Sequence, residues 1–273
     1  MMDVFNSFSL TGVAANLTGA LGVEAPKFAE APNPFMKTLI EESPLLKETS
    51  HGRKVDRVLM YNPDAVALWL YQKYTEKYAP VVKNTQVSLP LATVMPSVTP
   101  VCFSTMYTGA LPEVHGIKVY EKPVQHTDSV FDALIRAGKK PCIISCTPNC
   151  SMSMIWKERD MDYFIFDKVP EVLEKALEVI PEDKYDMVVV YNHNYDSRMH
   201  KTGAESEDSL AQLDDNCRTF GLLCDAVREH WKDHNTLVGF APDHGCHDTD
   251  KDSGTHGLYM PEDINIMHFY GII

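Results

Sequence analysis

Met95-Pro-Ser-Val-Thr99-Pro100-Val-Cys102-Phe-Ser-Thr-Met-Tyr-Thr-Gly109-Ala-Leu-Pro112-Glu-Val-His115-Gly116-Ile117 has the form of a strand end running into a helix. An apolar, β-prone segment, residues 85–94, precedes it. Pro100 stands where a helix can begin, because proline is tolerated at the first helical position and its ring presets the backbone angle. Thr99 is then the expected N-cap. Its hydroxyl would sit beside free backbone N–H groups and the positive end of a helix, surroundings that favour a negatively charged oxygen. Taken alone, a Thr-Pro pair is a helix cap and nothing more.

Working outward, residues 57–61 form a short apolar strand, and Asn62-Pro63-Asp64 ends it ahead of a helical pattern over residues 65–78. Downstream, residues 128–137 read as a helix closed by Gly138, residues 141–146 and 163–166 as strands, and residues 170–180 as a helix. Residues 186–191 are β-branched and apolar on both faces, which suits a central parallel strand. The longest helical pattern spans residues 206–231. Residues 236–241 are another buried strand, and residues 265–270 a last one. This alternation predicts an α/β fold with a largely parallel central sheet and helices on both faces. In such sheets ligands sit beyond the carboxyl ends of the strands. Residues 1–50 hold several prolines and no sustained period, and read as an N-terminal extension packed on a core domain of residues 51–273.

A chain of 273 residues, 44% hydrophobic, can bury one large core. The net charge of -13, from 38 acidic and 25 basic residues, excludes a nucleic-acid track. An anionic substrate would have to be met by local positive charge, most economically a metal. No stretch is long and apolar enough to span a bilayer. The first basic residue is Lys27 and Asp3 precedes it, so no secretory signal is expected and a cytoplasmic location is. Seven scattered cysteines, at 102, 142, 146, 150, 217, 224 and 246, fit reduced thiols better than a disulfide framework.

The residues at the expected strand ends share a chemistry. Asp64 follows the first strand, Thr99 the next, Asp196 and His200 the run ending at 191, and Asp243 with His244 the run ending at 241. His256 lies in a Gly254-Thr-His-Gly257 loop. Asp196 and His200 are four apart, which puts both on one face of a helical turn. Carboxylates with imidazoles suit Zn²⁺ or Mn²⁺ better than Ca²⁺ or Mg²⁺, which prefer oxygen shells. Each piece alone has a bland account: a solvated helix face for Asp-x-x-x-His, turn chemistry for Asp-His-Gly. Several strand ends supplying matching ligand types point to a metal centre. His115 and His247 stand close to these residues and are either substrate contacts or hydrogen-bonded loop histidines, and His193 is a candidate supporting residue. Cys102 is either a small side chain in the site wall or a thiol at a helix start.

The segments Pro96-Ser-Val-Thr99 and Thr108-Gly109-Ala-Leu-Pro112-Glu-Val-His115-Gly116-Ile117 resemble the nucleophile region of the nucleotide pyrophosphatase/phosphodiesterase branch of the alkaline phosphatase superfamily. Asp196-x-x-x-His200, Asp243-His244-Gly245 and Gly254-Thr-His256-Gly257 follow in that family's order, and the resemblance covers roughly residues 55–273. It implies an alkaline-phosphatase-like core without a large cap domain and a site for two divalent ions, zinc or manganese. One would be held by Asp196, His200 and His256, the other by Asp64, Asp243 and His244, with Thr99 bridging from metal to substrate. The implied activity is phosphodiesterase or nucleotide pyrophosphatase, through a phosphothreonine on Thr99, with a small phosphorylated substrate such as a nucleotide. Cys102, His115 and His247 are the expected substrate contacts. Coordination to a dication lowers an oxygen's pKa, to roughly 7 for zinc-bound water, so the arrangement has a physical rationale. Three departures stand out. Cys102 occupies the place of the family's phosphoryl-binding asparagine, and a thiol is a weak donor. Asn62-Pro63-Asp64-Ala65 replaces the usual Asp-Gly, with Asp56 a poorer candidate because it precedes the strand. The chain lacks room for the caps of the related mutases. A phosphomonoesterase or phosphonate hydrolase on the same site, or a metal-binding protein without useful turnover, are the alternatives.

Overall fold

The computed structural model describes residues 4–273. Among these, ten strands alternate with helices: β1 (Phe8–Ser9), β2 (Arg57–Pro63), β3 (Val87–Ala92), β4 (Pro141–Cys146), β5 (Asp162–Phe166), β6 (Met187–Asn192), β7 (Thr236–Phe240), β8 (His247–Asp248), β9 (Gly254–Thr255) and β10 (Asn265–Ile272). Eight of them build one sheet in the order β1-β3-β10-β7-β2-β6-β4-β5, while β8 and β9 pair by themselves. All pairings in the large sheet are parallel except those of β10, which runs against both β3 and β7. From Phe240 to Ile264 no long crossover helix carries the chain back, so β10 enters from the carboxyl end of its neighbours and is reversed.

Every residue of β4, β6 and β7 is buried. Successive side chains point to opposite faces, so both faces of the sheet centre are covered, and these strands read as near-continuous apolar runs. The sheet and the helices around it give the expected α/β architecture with a largely parallel central sheet. No helix of the described residues is long and apolar enough to cross a membrane. All seven cysteines are buried and unpaired.

Residues 4–50 are woven into this core. β1 pairs with the outer edge of β3, Phe8 opposite Leu91, and the helix Val13–Ala20 buries Val13, Ala14 and Leu17. Two local expectations change in ways that matter for the site. The helical pattern over 65–78 starts only at Leu68 and breaks into a 3-10 turn after Lys73. Before it, Ala65 takes a left-handed backbone, φ 63°, and its N–H donates to Asp243 Oδ1 at 3.3 Å. That bond to a distant loop outweighs the helical preference of the segment. The second concerns Thr99, which is the first residue of the helix Thr99–Thr108 rather than its cap. Val98 is the cap, and its carbonyl accepts from the N–H groups of Val101 and Cys102 at 3.0 Å each. The Thr99 hydroxyl is turned to other partners.

Candidate metal centre

The carboxyl ends of four adjacent or near-adjacent strands supply the site. Asp64 directly follows β2, Thr99 opens the helix after β3, Asp196 and His200 lie on the helix Asn194–Thr202 after β6, and Asp243 and His244 follow β7. His256 follows β9. The side chains gather into two groups, Asp64–Asp243–His244 and Asp196–His200–His256, each with its ligand atoms within 4.8 Å of one another. The first group is buried, whereas His200 of the second reaches solvent. The rings of His244 and His256 lie against each other where the two groups meet, tilted by 33° with centroids 4.1 Å apart. Thr99 Oγ1 lies 3.3 Å from His244 Nε2 and 3.5 Å from Asp64 Oδ1.

Hydrogen bonding to the backbone orients all three histidines. Nδ1 donates to the carbonyl of Gly245 in His244 (2.9 Å), of Gly254 in His200 (3.0 Å) and of Ser97 in His256 (3.0 Å). A carbonyl only accepts, so Nδ1 carries the proton and Nε2 faces the cluster, as in histidines that bind metal. Burial depresses the basicity of His244 and keeps it neutral. Its Nε2 therefore faces Asp64 Oδ1 (3.4 Å) and Asp243 Oδ2 (3.3 Å) with no proton of its own to offer them. Asp243 Oδ2 and Asp196 Oδ1 are buried without a hydrogen-bond donor. In the second group His200 Nε2 and His256 Nε2 approach to 3.2 Å. These are the contacts a cation would resolve, so the residues fit a divalent ion at each group.

The electrostatics agree. Burial, then the charges of Asp243 and Asp196, push the Asp64 carboxyl well above the usual range, and burial does the same to Asp243. At Asp196 burial is outweighed by the nearness of His200 and His256, whose Nε2 atoms lie 3.2 and 3.4 Å from Oδ1, and the carboxyl is held well below the usual range. The Asp196 carboxylate beside it in turn raises His200. A third cluster, His51, Asp56 and His234, looks different. There His234 Nδ1 meets Asp56 Oδ2 at 2.5 Å, its Nε2 meets Asp183 Oδ2 at 3.0 Å, and Arg57 adds a positive charge 3.7 Å from Asp56. That network is satisfied by itself and lies at the opposite, amino end of the strands.

Other residues singled out in the sequence have hydrogen-bond partners of their own. Cys102 is fully buried with Sγ 3.1 Å from Thr93 Oγ1, whose hydroxyl donates to the Asp243 carbonyl at 2.7 Å. Burial pushes the Cys102 thiol up, against thiolate formation. His115 is buried, with Nε2 3.0 Å from Thr105 Oγ1 and Nδ1 accepting from the Ile117 N–H at 3.2 Å. His247 Nδ1 lies 2.6 Å from Asp263 Oδ1, and His193 Nδ1 2.8 Å from Ser197 Oγ. Sequence reasoning passed over Tyr191, whose hydroxyl donates to Asp64 Oδ2 from the end of β6. The only signal was a polar tip on the last residue of an otherwise aliphatic run.

No family model and no curated protein matches the sequence. Solved structures do. Mouse ectonucleotide pyrophosphatase/phosphodiesterase 5 superposes with a TM-score of 0.60 at 18% identity, covering 71% of this chain and 58% of that one. The human protein of the same name gives 0.58 at 17%, covering 71% and 58%. An inactive variant of the mouse protein in complex with AMP gives 0.57 at 17%, covering 72% and 59%. This chain thus spans less than two thirds of the length of those proteins. In its fold, the chain is similar to the ectonucleotide pyrophosphatase/phosphodiesterase structures.

Proposed function

We propose that the chain is a two-metal phosphohydrolase acting on phosphodiesters or nucleotide pyrophosphates, with Thr99 as nucleophile. The observation that carries this is the place of Thr99 Oγ1, hydrogen-bond distance from His244 and Asp64 in a cluster of carboxylates and imidazoles. Asp64, Asp243 and His244 would hold one ion, Asp196, His200 and His256 the other, most simply zinc. When bound, the ions supply positive charge against the phosphoryl group and acidify hydroxyls at the site. They also explain how a chain of net charge -13 receives an anion.

Thr99 Oγ1 forms the new bond to phosphorus as the ester oxygen opposite it leaves, with net transfer of the Thr99 proton to that leaving group. Water then cleaves the phosphothreonine and restores the hydroxyl. The helix starting at Thr99 directs its positive end toward the phosphoryl oxygens. His200 lies on the solvent side of the cluster. A nucleotide as substrate is supported by the AMP complex of the mouse protein.

The test compares hydrolysis of bis(p-nitrophenyl) phosphate and p-nitrophenyl phosphate, with zinc and after chelation. Zinc-dependent preference for the diester is expected. Preference for the monoester would move the assignment to a phosphomonoesterase, and no turnover of either ester or of nucleotides would remove the enzymatic reading.

A further inference from the structure

Asp263 is fully buried and belongs to neither ligand group, yet it touches both ligand loops. It lies in the single helical turn Pro261–Ile264 that leads into β10. Its Oδ1 meets His247 Nδ1 at 2.6 Å, and its Oδ2 accepts the Leu258 N–H at 2.8 Å. Its backbone carbonyl accepts the Gly245 N–H at 2.8 Å. Gly245 and His247 follow His244, and Leu258 is two residues beyond His256. One side chain therefore fastens the His244 loop of the buried group and the His256 loop of the solvent-facing group to the same turn.

Packing at Gly245 reinforces the joint. A Cβ there would overlap the carbonyl oxygen of Glu262, so the loop after His244 sits directly on the backbone next to Asp263. The two loops also pair as β8 and β9, with His247 opposite Thr255. Buried carboxylates are rare unless their acceptors are filled, and this one fills both oxygens with donors from different loops.

We propose that Asp263 is a positioning residue that holds the His244 and His256 loops in register, so that affinity at both cation sites depends on it although it is a ligand of neither. The proposal rests on the two-cation reading of the site. Ligand geometry in metal sites is set by the hydrogen bonds behind the ligands, whose loss costs roughly 10- to 100-fold in affinity. Here the fastening is one step further back and serves two sites at once.

The experiment titrates the metal-stripped full chain with Zn²⁺ against a chromophoric competing chelator, with thermal melting in parallel. The parent should bind two ions. Asp263→Ala should weaken both by roughly tenfold or more. Asp263→Asn, which keeps an acceptor for the Leu258 N–H, should recover part of the loss. A purely structural role would lower the melting temperature and leave both affinities at parent values, which overturns the proposal, as does a loss confined to one site. If the alanine variant does not fold, the asparagine variant decides by the same criterion. A parent that binds no divalent ion sinks the reading of the site itself, and the proposal with it.

Discussion

Replacing Tyr191 by Phe removes one hydroxyl and leaves the ring, which packs edge-on against Phe103 with centroids 5.4 Å apart. The hydroxyl donates to Asp64 Oδ2, so Oδ1 is the oxygen left facing Thr99 and His244. A hydrogen bond to a charged group contributes about 1.5–3 kcal/mol, and a buried acceptor stripped of it finds no water. In the metal-free chain Asp64 is driven toward its neutral form by burial and by Asp243 and Asp196, where the tyrosine donor matters less. Binding a cation requires the charged form. The loss therefore falls mainly on the loaded state, and affinity at the buried group should drop by roughly 10- to 150-fold. The Asp196–His200–His256 group does not touch Tyr191 through a hydrogen bond and serves as an internal control. Competition titration with zinc reads both sites in one sample. Two ions bound at parent affinities, with only the melting temperature lowered, would refute the reasoning.

Thr99→Ala should cut turnover by roughly three orders of magnitude or more while metal content stays at the parent value, because the hydroxyl forms the covalent bond. A variant as active as the parent removes Thr99 as nucleophile. His256→Ala should lower bound zinc from two ions to one and activity with it; unchanged stoichiometry by elemental analysis takes His256 out of the ligand set. Gly245→Ala should destabilise the fold by roughly 1–3 kcal/mol or more through overlap with Glu262, seen as a lower midpoint in urea. His115 and His268 are buried and neutral, with pKa values lowered by burial from 6.5 to about 4. A folded pKa below the unfolded one means that this stability is complete above pH 6.5 and is lost as pH falls toward 4, by roughly 2 kcal/mol per histidine down to pH 5. A melting temperature flat across that range contradicts it.

The elements that could be read ahead of the structure are those whose local pattern and tertiary role coincide. Residues 141–146 and 236–241 are largely apolar runs because both faces of β4 and β7 are covered. Asp196 and His200 share a face because the segment after β6 is helical. Where a distant partner overrides local preference, the pattern misleads. Ala65 leaves the helix expected over 65–78 for a bond to Asp243, and Thr99 gives up the cap for the cluster. β1 is only two residues long and holds its place by pairing with β3, so no periodicity announces it.

For the site, sequence alone determined which residue types stand at the strand ends and in what order, since those depend on runs of a few residues. It could not reveal Tyr191 behind Asp64 or Asp263 behind both ligand loops, because a buried hydrogen bond between residues 127 apart leaves no local trace. No local pattern sorts the ligands into two groups, which the family resemblance implied and the tertiary structure displays, and only the tertiary structure decided where the Thr99 hydroxyl points. The physical reason is that parallel strands deliver their carboxyl ends to one edge of the sheet whatever their separation along the chain, and strand order, which no local pattern encodes, then chooses the neighbours.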